Sequence, residues 1–231
     1  MLTYTPRSVR LIKLLQLASP ALPVGAYSYS QGLESAVEAG IVHDAQSAQR
    51  WINDVLELTL ATTDAPLLLR LCANWESADY KAMPHWNDCV LATRESAELR
   101  AETVQMGYSL RRLLSDIVNA SSDTAAALHD LDEVAYPTAY AYAVAHWQID
   151  PTQALTAYLW SWAENQVMAA LKAVPLGQTD GQKILLALGE RLPLIATQAT
   201  QIPDDGVGSF APGLAILSAQ HETQYSRLFR S

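Results

Sequence analysis

Several things are scarce in this 231-residue chain, and each absence removes a class of function. It has 2 cysteines. Cys72 and Cys89 lack C-x-x-C spacing, so neither a disulfide framework nor a redox pair is expected. Cations are few: 15 Lys and Arg stand against 24 Asp and Glu, a net charge of −9. No stretch gathers enough of them to neutralise a run of phosphates, which argues against a nucleic-acid partner. Arg7, Arg10 and Lys13 precede an apolar stretch that Ser19, Pro20 and Pro23 interrupt before it reaches signal-peptide length. The uncharged run 14–33 is as long as a membrane span, yet its two prolines, hydroxyls and two glutamines exclude it from lipid. A cytoplasmic protein with no membrane association is expected.

What is present is a 50% hydrophobic composition, enough to line the core of one domain of this size. The periodicity is helical nearly throughout. After Asp44, a good N-cap, Ala48, Trp51, Ile52, Val55 and Leu58 form one stripe at spacings of three and four. Asp64 and Pro66 restart the pattern. Asp150-Pro151, with Gln153 in the capping-box position, opens a helix expected to run to Val174, where Pro175 and Gly177 end it. A further helix is expected from about Thr179 through Ile184, Leu185 and Leu188, with a kink or break at Gly189 and Pro193. In 138–146, Tyr140, Tyr142, Val144 and His146 alternate with alanines at the period of a strand. Alanine favours helices and a lone strand would lack a partner, so helix is the reading there too. Loops are expected at 19–30, 119–123, 175–178 and 202–213. The fold class is all-α: a single-domain helical bundle of roughly eight to ten helices, with a flexible C-terminal tail over about 218–231.

Catalytic motifs are thin. The 206–211 segment fits a loose dinucleotide pattern, but no strand precedes it and too little chain follows for a βαβ unit. No Gly is followed by Lys, which excludes a Walker A loop. His221-Glu222 begins like a zinc-protease motif, yet Tyr225 stands where the second histidine belongs. His129, Asp132 and Glu133 could share a helix face as metal ligands, although a solvated acidic turn is the commoner meaning of such a cluster. His43, His85 and His146 read as structural. Asn119-Ala120-Ser121 matches the glycosylation triplet by chance frequency alone. No catalytic, cofactor or metal residue is assigned.

Polar chemistry is concentrated instead in three apolar settings. In 19–34, prolines and Gly25 lead to the hydroxyls of Tyr27 and Ser30 and to Glu34 in the first turns of a new helix. In 166–178, Lys172 lies near a helix C-terminus, where the macrodipole favours it, and Gln178 follows the break. In 221–231, Tyr225, Arg227 and Phe229 are types enriched in binding hot spots. Plain capping, dipole compensation and an idle terminus are the bland alternatives.

These segments together resemble the UreF family of urease accessory proteins. The stretches LLQLASPALPVGAYSYSQGLESAVEAG, RESAELR around Arg94, QVMAALKAVPLGQTDGQKIL and HETQYSRLFRS are similar to that family in order and spacing. The match is loose at 73–88 and 116–135, and Ala26 replaces a second glycine often found beside Gly25. The resemblance implies an all-helical, non-enzymatic protein that often forms a homodimer. It implies binding to UreD (UreH in some systems), recruitment of the nickel-carrying GTPase UreG, and activation of the urease apoprotein with nickel and a carbamylated lysine. It also places Glu34 and Lys172 on the GTPase-facing surface or the nickel route, and Arg227 in a tail that helps build the GTPase site. Tyr27, Ser30, Gln178, Tyr225 and Phe229 join them as expected partner-binding residues. Two readings stand side by side: a passive adaptor between UreD and UreG, and an active regulator that stimulates or gates GTP hydrolysis.

Overall fold

The computed structural model describes residues 6–118 and 122–231, and among these every regular element is helical. The first, α1 (Arg7–Leu17), buries only Leu17 and leaves Leu11, Ile12 and Leu15 exposed. A loop containing one 3₁₀ turn, Ala26–Ser28, leads into the short α2 (Leu33–Glu38). It turns at Gly25 and Gly32, at φ +81° and +80°, where a side chain would be strained.

The Asp44 carboxylate caps α3 (Ala45–Val55) by accepting the Ser47 amide at 2.7 Å, and the Ser47 hydroxyl accepts the Asp44 amide in return at 3.0 Å. Ala48, Ile52 and Val55 face the core as expected, but Leu58 is 50% exposed. The reason is a π turn over Leu56–Leu60, which widens the helix by one residue and rotates Leu58 off the stripe.

The chain continues through α4 (Asp64–Ser77), α5 (Met83–Ala92), α6 (Ala97–Ile117) and α7 (Ser122–His129). Of the loop expected over 119–123, residues 119–121 lie outside the described residues, as does the glycosylation triplet, and α7 already begins at Ser122. Then come α8 (Tyr136–His146), α9 (Pro151–Ala173), α10 (Gln178–Gly189), α11 (Leu192–Ala199) and α12 (Pro212–His221). That makes twelve α-helices among the described residues, more than the eight to ten expected. The surplus comes from short pieces such as α2 and α11, the latter set off by the break at Gly189 and Pro193.

The ambiguous 138–146 segment is the axis of the fold. All of Pro137 to Val144 is buried, because α8 packs against both α4 and α6. A helix enclosed on all sides has no polar face, so its sequence shows no 3.6-residue period. Tyr140 meets Tyr136 and Tyr158, while Tyr142 packs edge-on to Trp75 on another side of the same helix. At Gly107 of α6, an added Cβ would lie 1.9 Å from the Val134 carbonyl oxygen, so only glycine allows that approach. The long α9 follows its cap at Asp150, whose carboxylate accepts the Gln153 amide at 2.9 Å. Both cysteines are unpaired.

The end of the chain departs from expectation. Instead of running on past the core, the segment after α12 folds back over α2, burying Phe229 and Ser231. Local composition gave no sign of this because the groups that hold the segment come from residues far upstream.

Candidate functional site

Glu34 is the pivot of the docked segment. It is only 7% exposed, and its carboxylate accepts the main-chain amides of Leu228 at 2.7 Å and Phe229 at 3.0 Å. Its Oε2 also lies 3.3 Å from His221 Nε2. The loop before α2 completes the clasp. The amides of Ser30 and Gln31 and the Ser30 hydroxyl all donate to the Ser231 carbonyl, at 2.7, 3.0 and 2.6 Å. The Arg230 amide donates to Ser28 O at 2.8 Å.

The His221 imidazole, fully buried, joins this clasp to α6. Its Nδ1 is 2.6 Å from Glu98 Oε2, and the other oxygen of Glu98 receives Arg227 Nη1 at 2.5 Å. Whichever ring nitrogen carries the proton, one of the two carboxylate contacts is a donated hydrogen bond, and the doubly protonated ring donates both. Ser96, the N-cap of α6, bonds Ser218 at 2.6 Å, and Glu222 accepts the Ala97 amide at 2.9 Å. The N-terminus of α6 is thus tied to the end of α12 by three contacts, Ser96–Ser218, Ala97–Glu222 and Glu98–His221.

One turn further along α6, Glu102 lines a cavity of about 110 Å³ together with Gln31, Asp64, Arg94, Tyr158 and Trp162. It accepts Gln31 Nε2 at 2.6 Å and the Ser231 hydroxyl at 2.9 Å, and Gln31 Oε1 in turn accepts the Trp162 indole at 2.6 Å. Burial pushes the Glu102 carboxyl up to about 7, against the lowering effect of those hydrogen bonds and of Arg94. Arg94 clamps Asp64 in a two-pronged pair at 2.7 and 3.0 Å, and the Tyr158 hydroxyl donates to Asp64 at 3.2 Å. Burial pulls against the Arg94 charge, but the Asp64 carboxylate outweighs it by its own charge and hydrogen bond and raises the guanidinium above its ordinary value.

Five of the residues singled out in the sequence meet here. Ser30, Glu34 and Phe229 are buried in the clasp, Arg227 lies at its edge, and Lys172 places its ammonium 5.5 Å from the Phe229 ring centroid. Tyr27 stands apart, bonded to Glu164 of α9. Its hydroxyl is raised to about 12 by burial and then by that carboxylate. Gln178 opens α10 and is exposed, and Tyr225 is fully exposed, so neither enters the network. The outward side of the tail therefore presents Tyr225, Arg227, Leu228 and Arg230, with Lys172 beside it.

Sequence reasoning passed over Glu98, Glu102, Ser231 and the Asp64–Arg94 pair, and it dismissed His221 with the zinc motif. One signal was available. Glu98, Glu102, Met106, Leu110 and Leu114 follow one another at four-residue spacing, so both acids extend an apolar ridge of α6. In the suggested metal cluster, Glu133 is taken by Arg100 at 2.5 Å, and no three potential ligands gather around a common point among the described residues.

Buried charges hold the chain's own terminal segment and leave an aromatic and basic edge in solvent. The sequence model of the UreF family matches residues 42–189. A urease accessory protein UreF of Dechloromonas aromatica (strain RCB) is 55% identical over 227 residues, spanning 96% of this chain and 98% of that protein. The corresponding protein of Azoarcus sp. (strain BH72) is 56% identical over 223 residues, 96% and 95% of the two chains. That of Methylobacillus flagellatus is 50% identical over 225 residues, 97% and 99%. The chain belongs to the UreF family, whose members are accessory proteins of urease maturation and not catalysts.

Proposed function

We propose that this protein acts in the cytoplasm as an adaptor of urease maturation, joining UreD (UreH) to the GTPase UreG and presenting them to the urease apoprotein for nickel insertion. The observation that carries the reading is the two-sided tail. Its inner side is fixed to the core by Glu34, Ser30 and Glu102, while Tyr225, Arg227, Leu228 and Arg230 stay in solvent on a held backbone. Residues so placed bind a partner with little ordering left to be done, and aromatic and arginine side chains dominate such surfaces. Against a chain of net charge −9, this basic edge beside Lys172 favours an acidic partner surface.

Co-purification from cells expressing UreD, UreG and this chain tests the proposal. Wild-type protein is expected to retain both partners, and Arg227→Ala and Lys172→Ala to lose UreG. Retention of UreG by both variants would refute the assigned surface. An active effect on the GTPase is the second reading, favoured by the Arg227 guanidinium, which is 37% exposed and spends one of its nitrogens on Glu98. GTP hydrolysis by UreG with and without this protein separates the two.

A further inference from the structure

We infer that Glu98 and His221 are positioning residues for Arg227, aiming its guanidinium outward so that partner recruitment depends on them although neither is on the contact surface. This rests on the reading of the tail as the recruiting edge. An arginine near a chain end samples many rotamers, and freezing it on binding weakens the complex. Here Glu98 Oε1 fixes one nitrogen at 2.5 Å, and Glu98 is itself fixed by His221 at 2.6 Å through its other oxygen. His221 cannot swing, because it is fully buried and its far nitrogen meets Glu34, the same carboxylate that holds the tail backbone. The side chain and main chain of the tail are therefore anchored to one rigid unit, Glu34–His221–Glu98, spanning α2, α12 and α6. The remaining guanidinium donors of Arg227 are left for the partner.

The opposite role would be masking, in which Glu98 neutralises Arg227 and competes with the partner. The two differ in sign. Binding of purified UreG, with UreD present, to the full chain should weaken about tenfold or more in Arg227→Ala. Glu98→Gln should lose most of the same factor and add nothing in the Arg227→Ala background. His221→Asn, which keeps a donor at the Nδ1 position facing Glu98, should bind nearly as wild type. His221→Gln keeps the Nε2 position instead and should be impaired. Amide exchange at Leu228 and Phe229 establishes in each variant that the tail is still docked. Unchanged or tighter binding by Glu98→Gln, a further loss in the double variant, or equal behaviour of the two His221 variants overturns the inference. A silent Arg227→Ala overturns both this inference and the recruiting edge beneath it.

Discussion

Glu34 Oε2 accepts the amide of Phe229 at 3.0 Å across 195 residues of chain, so a residue at the start of α2 fixes the backbone of the terminal segment. Glu34 and Lys172 therefore separate, although both were expected to act through partners.

Glu34→Ala leaves the Leu228 and Phe229 amides and His221 without their acceptor. Unpaired buried groups cost about 1–3 kcal/mol each, and about 1 kcal/mol moves the midpoint of a chain this size by roughly 2–4 °C. Calorimetry should show a fall of roughly 10 °C, with faster exchange at both amides. Lys172→Ala removes only a surface cation–π contact, about 0.5–1 kcal/mol, and should leave the midpoint nearly unchanged while impairing UreG capture.

Deleting 224–231 should destabilise the chain. Phe229 is 6% exposed, and burying such a side chain stabilises by about 1.5–3 kcal/mol, before the hydrogen bonds of Ser231 are counted. A midpoint within 2 °C or so of wild type would mean the tail is not docked in solution.

Glu102 gives a pH dependence of defined sign. Its folded-state carboxyl is raised to about 7 from 4.5, so the folded chain holds the proton more tightly than the unfolded one. The associated stability is complete below about pH 4.5 and is lost as pH rises through about 7. Between pH 4.5 and 8.5, Glu102→Gln should flatten that loss and be the more stable protein at pH 8.5, by at most about 3 kcal/mol. Denaturant melts across that range test it; parallel curves for the two proteins would contradict it.

At the centre of the bundle, Gly107→Ala places a methyl against the Val134 carbonyl. The backbone must shift, and a loss of about 3 kcal/mol is expected from urea unfolding.

The all-helical class was legible because caps such as Asp44 and Asp150 and the breaks at Pro175 and Gly189 act through neighbours in sequence. Leu58 was misread because a π turn changes the period without altering composition. The docked tail could not be read at all: Ser231 is held by Ser30, Gln31 and Glu102, and His221 by Glu34 and Glu98, contacts across more than a hundred residues. Family resemblance marked Glu34, Lys172 and Arg227, but only the structure distinguishes the residue that builds the edge from those that present it.

The most direct test of the central claim is urease activation in cells whose urease operon lacks its own UreF, read as activity and bound nickel. The wild-type chain should restore both. Arg227→Ala should restore little of either while the purified variant keeps its melting midpoint and its protected Leu228 and Phe229 amides. Full activation by Arg227→Ala, or none by the wild type, would contradict the account.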